Sequence, residues 1–178
     1  MRREAALLFV RFALIVVALG AGCAHALTPI LLQDRTRHEV TAAELEILPP
    51  ADNPFEIADV LRGIAGPFVP ATTAVLEPRP PSYERWQRFK VINPSGEPRS
   101  WLLEVGQPTL DRVEIYYGNA AIAMSRPDAV AGDRVPLSER ALRHRKVLLP
   151  IMLGAFDERM VYVRVANHGL GGYRMDLQ

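Results

Sequence analysis

Cysteine is almost absent from this 178-residue chain. The only one, Cys23, lies in an apolar N-terminal segment, and residues 27–178 contain no thiol. A single cysteine excludes an internal disulfide, and the lack of a thiol after residue 26 excludes a thiolate metal site there. A chain of this length can bury enough apolar surface in one domain to fold without either kind of cross-link.

Catalytic signatures are also missing. The sequence has no G-x-S-x-G, no H-E-x-x-H, no glycine-rich phosphate loop and no histidines at metal-ligand spacing. The histidines after the N-terminal segment, His38, His144 and His168, are isolated from one another. We therefore expect a protein that is not an enzyme and that uses no cofactor or metal.

No excess of one charge is present. The chain has 21 basic and 20 acidic residues, of which the first 26 residues hold three arginines and one glutamate. The remaining domain then has a net charge of −1. Nucleic acids and anionic membranes both select basic surfaces, so neither is an expected partner.

The N-terminus has the pattern of a secretory signal peptide. Arg2, Arg3 and Arg11 precede an uncharged apolar run, and the segment closes on Ala24-His25-Ala26. The run is shorter than the ~20 residues that cross a bilayer. We predict a signal peptide at residues 1–26, cleavage after Ala26 and export to the periplasm; an uncleaved anchor and lipidation at Cys23 are the alternatives.

The rest of the chain favours short β-strands. It contains 15 prolines and 12 glycines between many brief apolar runs. We predict one domain over residues 27–178, an all-β antiparallel sandwich of seven to nine strands with one core. One short helix is expected within residues 52–63, and a proline-rich loop at 64–83 is expected to cover one end of the sandwich. Residues 41–48 fit either a strand or a helical turn capped by Thr41 and Glu44.

Three apolar runs between residues 84 and 117 are separated by turn residues. The first contains Phe89 and Val91, the second begins at Trp101, and the third alternates through Val113 and Ile115. Short connections favour antiparallel neighbours, so this stretch predicts a β-meander. Asn93 and Asp111 are interpreted as turn-forming and turn-capping residues.

Further strands are predicted after the meander. A short edge strand is expected at Ala120–Met124, and the turn residues Pro127, Gly132 and Pro136 follow it. The continuous apolar run at 147–153 predicts a strand that is buried on both faces or lies under a loop. Residues 160–166 alternate, with valines inward, and residues 173–177 predict the closing strand.

The same alternation predicts a polar outer face. If the valines, Ile115 and Phe89 point inward, aromatic and charged side chains project outward, and such a mixture can hold a small polar ligand. Opposed arginine and glutamate residues also occur as ordinary cross-strand pairs, and the proline-rich loop is placed to cover Trp86. The outward residues are Trp86, Arg88, Glu104, Arg112, Glu114, Tyr116, Tyr162 and Arg164.

The motifs W-x-R-F-x-x-x-N-P and W-L-L-E-V-G-x-P-x-L-D-R-V-E-I-Y resemble a known family. They are similar to the periplasmic input domain, extracellular domain type 2, of bacterial seven-transmembrane receptors with diverse intracellular signalling modules. Weaker echoes occur at residues 138–140, 144–145 and 161–165, so the resemblance covers roughly residues 28–178. The matching residues are Trp86, Arg88, Phe89, Asn93, Pro94, Trp101, Glu104, Gly106, Pro108, Leu110, Asp111, Val113 and Tyr116.

The resemblance implies a jelly-roll-like sandwich similar to carbohydrate-binding modules, attached in the family to a membrane bundle and an output enzyme. It also adds Arg140 to the candidate ligand-binding residues, although a basic group before a strand is commonly solvated surface. No apolar span follows in the sequence, so we expect the input part alone, as a sensory domain for a small polar, carbohydrate-like ligand. The alternatives are a structural or protein-docking module of the cell envelope and a glycan-binding accessory module.

Overall fold

A computed structural model describes residues 27–33, 37–51, 54–79, 83–118, 125–169 and 171–178. The predicted signal peptide at 1–26 and the predicted edge strand at 120–124 lie outside these residues.

The described residues form eleven strands, one α-helix and one 3-10 turn. Strands β1 to β4 have two residues each, which is why the sequence suggested a smaller number. The strands are β1 (Ile30–Leu31), β2 (His38–Glu39), β3 (Glu46–Ile47), β4 (Val69–Pro70), β5 (Glu84–Ile92), β6 (Arg99–Val105), β7 (Arg112–Tyr116), β8 (Ala129–Ala131), β9 (Val147–Leu153), β10 (Glu158–Ala166) and β11 (Met175–Leu177); the helix α1 is Ile57–Leu61 and the 3-10 turn is Ala42–Glu44.

The strands are divided between two sheets. The larger sheet has the order β4-β3-β5-β10-β7-β8, and β1 pairs in parallel with the C-terminal end of β5. The smaller sheet has the order β2-β11-β6-β9. All other pairs are antiparallel. The predicted all-β sandwich with one short helix is confirmed.

One core lies between the sheets and follows from the period of two along each strand. Phe89 and Val163 of the larger sheet meet Leu103 and Leu149 of the smaller sheet, and all four are fully buried. Burial of apolar area at ~25 cal/mol per Å² makes this core the main source of stability.

The predicted β-meander is wrong. β5 and β7 belong to the larger sheet, where β10 lies between them, whereas β6 belongs to the smaller sheet. The chain therefore crosses from one sheet to the other after Ile92 and crosses back before Arg112. Alternation shows which side chains face a core, but both sheets face the same core, so the pattern does not assign a strand to a sheet.

The strand at Val147–Leu153 meets the expectation of burial on both faces only in its first half, where Val147, Leu148 and Leu149 are all buried. β9 is an edge strand of the smaller sheet, with Leu149 and Ile151 in the core and Met152 68% exposed. The strand is therefore more apolar than its inward face requires, since Met152 on its outer face is exposed. In the segment 41–48, both suggested structures occur in sequence: the turn Ala42–Glu44, in which Glu44 accepts the Thr41 N–H at 2.9 Å, and then β3.

Candidate functional site

The outer face of the larger sheet brings together most of the predicted ligand-binding residues. The central strands β5, β10 and β7 are adjacent, and each directs alternate side chains away from the core. Seven of the nine predicted residues are on this face: Trp86, Arg88, Arg112, Glu114, Tyr116, Tyr162 and Arg164.

Strand register sets two rows across this face. Arg164 is paired with Trp86 on one side and with Glu114 on the other, and Tyr162 is paired with Arg88 and Tyr116. Directly opposed side chains in a sheet lie about 5 Å apart, so each row is a set of contacting groups.

The aromatic part of the face is covered. Trp86 and Tyr116 are 4% and 3% exposed, because they pack with Ile57 and Val60 of α1 in a second, smaller cluster. The Trp86 indole N–H donates to the Phe55 carbonyl at 3.1 Å. These rings project outward as predicted, but in this structure their faces are not available to stack on a ligand.

Arg88 and Tyr162 are engaged at the border of this cover. Arg88 donates to Glu46 at 2.6 Å across the β3–β5 pair, and its guanidinium lies 4.3 Å from the centre of the Phe68 ring. Phe68 also packs on Tyr162, with the ring centres 6.0 Å apart. Phe68 belongs to the first part of the proline-rich segment, which covers the outer face of the larger sheet. Farther along the segment, Val69–Pro70 forms the edge strand β4, and Leu76 is bridged to Tyr173 and buried in the main core.

Arg164 is the centre of the uncovered part. Its guanidinium donates to both carboxylate oxygens of Glu84, at 3.1 and 2.9 Å, and it lies 3.5 Å from Glu114 and 3.4 Å from Glu56. Burial lowers the pKa of Arg164, but the hydrogen bond and charge of Glu84, followed by the charges of Glu114 and Glu56, raise it by more. Arg164 is thus a permanent cation held among three carboxylates.

Glu114 links this centre to Arg112. It is 5% exposed and accepts the Arg112 Nε–H at 2.7 Å and the Tyr116 hydroxyl at 2.9 Å. Burial raises the pKa of Tyr116, and the adjacent Glu114 charge raises it further, so the phenol remains a donor. Glu114 is therefore fixed by three neighbours and presents a defined carboxylate.

An open pocket lies beside these groups. Its volume is about 170 Å³, and its wall is formed by Glu84, Arg112, Glu114, Arg164 and Ala166. Ala166 is paired with Glu84 on β5 and with Arg112 on β7, so a small side chain forms the floor between two polar ones. The Arg112 side chain is 45% exposed. Carboxylate acceptors and guanidinium donors thus alternate around a space that fits a small molecule.

Two predicted residues are elsewhere. Glu104 is on β6 of the smaller sheet, where it accepts bonds from Gln178 at 3.0 Å and from Lys146 at 2.8 Å. Arg140 donates to the backbone carbonyls of Val135, Asp133 and His144, at 2.9, 3.3 and 3.4 Å. These contacts stabilise the loop between β8 and β9. Arg140 is not among the residues that line the Arg164 pocket.

Glu84 is a site residue that sequence reasoning missed. It begins β5 and has the same parity as Trp86 and Arg88, so the alternation already placed it on the outer face. Glu56 was not predictable in this way, because it reaches Arg164 from the N-terminus of α1.

The described residues contain neither a metal-binding cluster nor a membrane-spanning helix. No group of three or more His, Cys, Asp or Glu side chains in them is arranged to hold a metal ion. No helix in the same part of the chain is long and apolar enough to span a membrane.

Comparison with known proteins identifies the family. No curated protein matches the chain. The family model described as 7TMR-DISM extracellular 2 matches residues 42–171, which is most of the chain and includes every residue of the Arg164 pocket. The chain therefore belongs to this family of extracellular, sensory-type domains of seven-transmembrane receptors.

Proposed function

We propose that this chain is a periplasmic sensory input domain that binds a small, polyhydroxylated ligand in the Arg164 pocket. Residues 1–26 would direct export, and residues 27–178 would form the sensor. The ligand would be recognised by hydrogen bonds, and the binding signal would pass to a membrane-embedded receptor module.

The observation that carries the proposal is the convergence of Glu84, Arg112, Glu114 and Arg164 around one open pocket. These residues come from three strands that are distant in sequence, and register places them together. Structural ion pairs need no adjoining space, whereas a binding site does. Here the charged groups border a space of about 170 Å³ with a small residue as its floor.

The chemistry of the wall favours hydroxyl groups. Glu84 and Glu114 can accept hydrogen bonds from ligand hydroxyls, and the exposed part of Arg112 can donate to them. A carbohydrate would bind here through its hydroxyl edges rather than by stacking, since Trp86 is covered. The ligand class thus depends on polar complementarity within the pocket.

A route to signalling begins at Glu56. Glu56 is the N-terminal cap residue of α1, its side chain is 70% exposed, and it contacts Arg164 at 3.4 Å. A ligand oxygen that takes the same Arg164 N–H would release Glu56 and weaken the attachment of α1. Such a ligand shifts the domain toward an open arrangement by the difference between its affinities for the two states.

A titration of the purified protein with glucose, galactose, N-acetylglucosamine and glucuronate tests the proposal. We expect saturable binding of at least one of them by calorimetry. Ala166→Met should abolish it, because the longer side chain fills the floor of the pocket, and Glu84→Gln should weaken it about tenfold through loss of a charged acceptor.

Arg143→Gln is the matched control, since it removes an exposed arginine of the β8–β9 loop, away from this pocket. It should leave sugar binding within twofold of the wild-type value. Absence of saturable binding to all four sugars, or binding that survives Ala166→Met in a folded variant, would overturn the proposal.

A further inference from the structure

A second pocket lies on the smaller sheet, apart from the Arg164 pocket. It is formed where the end of β6 and the following turn, residues 104–108, meet residues 145–147 at the start of β9. Its volume is about 380 Å³. It joins two stretches that the sequence analysis had singled out separately, around Glu104 and around Arg145.

Charge in this pocket is not balanced. Lys146 is paired with Glu104 at 2.8 Å, and the second oxygen of Glu104 accepts the Gln178 amide. Arg145 is exposed, and none of the described residues gives its guanidinium a hydrogen bond or an ion pair. The three charged side chains leave one net positive charge, located at Arg145.

The backbone around Arg145 is held in place without using its side chain. The Lys146 N–H donates to His144 Nδ1 at 3.0 Å, and Arg140 contacts the His144 carbonyl at 3.4 Å. On the opposite wall, the Gly106 N–H donates to the Arg174 carbonyl at 2.8 Å. Both walls are thus fixed before a ligand arrives, which lowers the entropic cost of binding.

The lining also contains the Gln107 amide, and Val105 and Val147 lie behind it, almost fully buried in the core. Its apolar surface comes from exposed Pro108 and from the methylene groups of Arg145 and Lys146. A polar solute such as a sugar would gain little from these groups, whereas a hydrocarbon portion placed against them would leave water.

We infer that this pocket binds a small monocarboxylate with an apolar body. A guanidinium matches the two oxygens of a carboxylate and donates to both. One net positive charge suits a monoanion, and exposed Pro108 together with the methylene groups of Lys146 suits its hydrocarbon part. This site would act independently of the proposed sugar site, because the two pockets are on different sheets.

The test is a titration with benzoate, with benzamide as its uncharged counterpart, followed by amide chemical shifts in two-dimensional NMR of the protein expressed as the full chain. We expect saturable benzoate-dependent shifts at Gly106, Gln107 and Val147. Benzamide should bind at least tenfold more weakly, because it cannot form the charged pair with Arg145.

Arg145→Gln should weaken benzoate binding about 10- to 100-fold, as expected for loss of a bidentate charged bond. Arg143→Gln, two residues away, should leave it within twofold. Equal affinity for benzoate and benzamide, equal losses in both variants, or shifts confined to the Arg164 pocket would each overturn the inference. Ala166→Met should leave benzoate binding intact, so failure of one site is distinguishable from failure of the other.

Discussion

Asn93 links the passage between the two sheets to a distant turn. It is fully buried, and its amide donates to the carbonyls of Glu97 and Gly154, at 2.9 and 2.7 Å, while its oxygen accepts the Ser95 N–H at 3.0 Å. The sequence predicted the local turn. The bond to Gly154, 61 residues later, was not predictable from neighbouring residues.

Asn93→Ala should reduce the free energy of unfolding by about 2–3 kcal/mol, because it removes three hydrogen bonds made by a fully buried amide. Urea denaturation followed by circular dichroism measures this change. Ser100→Ala, on an exposed position of β6, is the control and should change stability by less than about 0.5 kcal/mol. Equal effects of the two variants would contradict the role assigned to Asn93.

Asp111 was predicted to cap a local turn, but its partners are remote. Its carboxylate accepts the backbone N–H of His168 at 3.0 Å, lies 2.8 Å from His168 Nδ1, and pairs with Arg134 at 3.2 Å. Local sequence cannot reveal a partner that the fold brings from 57 residues away. Asp111 therefore ties the β6–β7 connection to the loop after β10.

This arrangement predicts a pH dependence. Burial raises the pKa of Asp111, but the His168 hydrogen bonds and the Arg134 charge outweigh it and hold the pKa below its ordinary value of 3.8. A lowered folded-state pKa stabilises the protein above the unfolded-state pKa, and this contribution is lost as the pH falls through the folded-state value.

Asp111→Asn should therefore cost about 1 kcal/mol at pH 7, and the difference from the wild type should shrink as the pH falls below 3.8. Urea midpoints at a series of pH values measure both effects. A difference that stays constant down to pH 2 would show that the charge of Asp111 has no part in it.

At the scale of elements, the positions and inner faces of the longer strands were predictable, but the short strands β2, β4 and β8 and the strand partners were not. The inward valines of β10 were assigned correctly because the period of two depends only on the strand itself. Placing β10 between β5 and β7 depends on which sheet each strand joins, and the inner faces of both sheets have the same apolar pattern. The Arg164 pocket was predicted only in part for the same reason, since its residues meet through that pairing.

The outer edge of β9 combines two protective features. Leu102 of β6 exchanges backbone hydrogen bonds with Gln178, on the side of β6 that faces β11. Because Leu102 does not bond to its β9 partner Pro150, the backbone nitrogen and carbonyl of Pro150 point away from β6, toward the outer edge of the sheet. Proline offers no N–H there, and the Tyr117 hydroxyl lies 3.4 Å from the Met152 nitrogen and 3.5 Å from the Pro150 oxygen. Both features discourage pairing with another strand.

Pro150→Thr should consequently promote self-association, because it restores an N–H donor on an edge whose outward side chain at Met152 is already exposed. Sedimentation velocity over a concentration series would detect a dimer absent from the wild type. Pro98→Thr, in the exposed turn before β6, is the matched control and should remain monomeric wherever the wild type does. Identical sedimentation of all three proteins would refute the protective role of Pro150.

At the scale of the whole molecule, one core has to hold two sheets together. The core cluster contains inward residues of β5, β7 and β10 together with those of β6, β9 and β11, so neither sheet has an apolar interior of its own. Separating the sheets would expose both inner faces at once. The small cluster beneath α1 involves the larger sheet and its cover, and contributes nothing to the contact between the sheets.

Hydrogen exchange should reflect this division. We expect the central amides of β6 and β10 to have the same opening free energy in hydrogen exchange, because neither sheet can open without the other. This free energy should equal that of global unfolding. Amides of α1 should exchange with a smaller free energy, because this five-residue helix rests on the outer face and can detach while the core persists. A lower opening free energy for β6 than for β10 would mean that the smaller sheet unfolds separately, and a sensor with this core could then signal by loosening that sheet rather than by releasing α1.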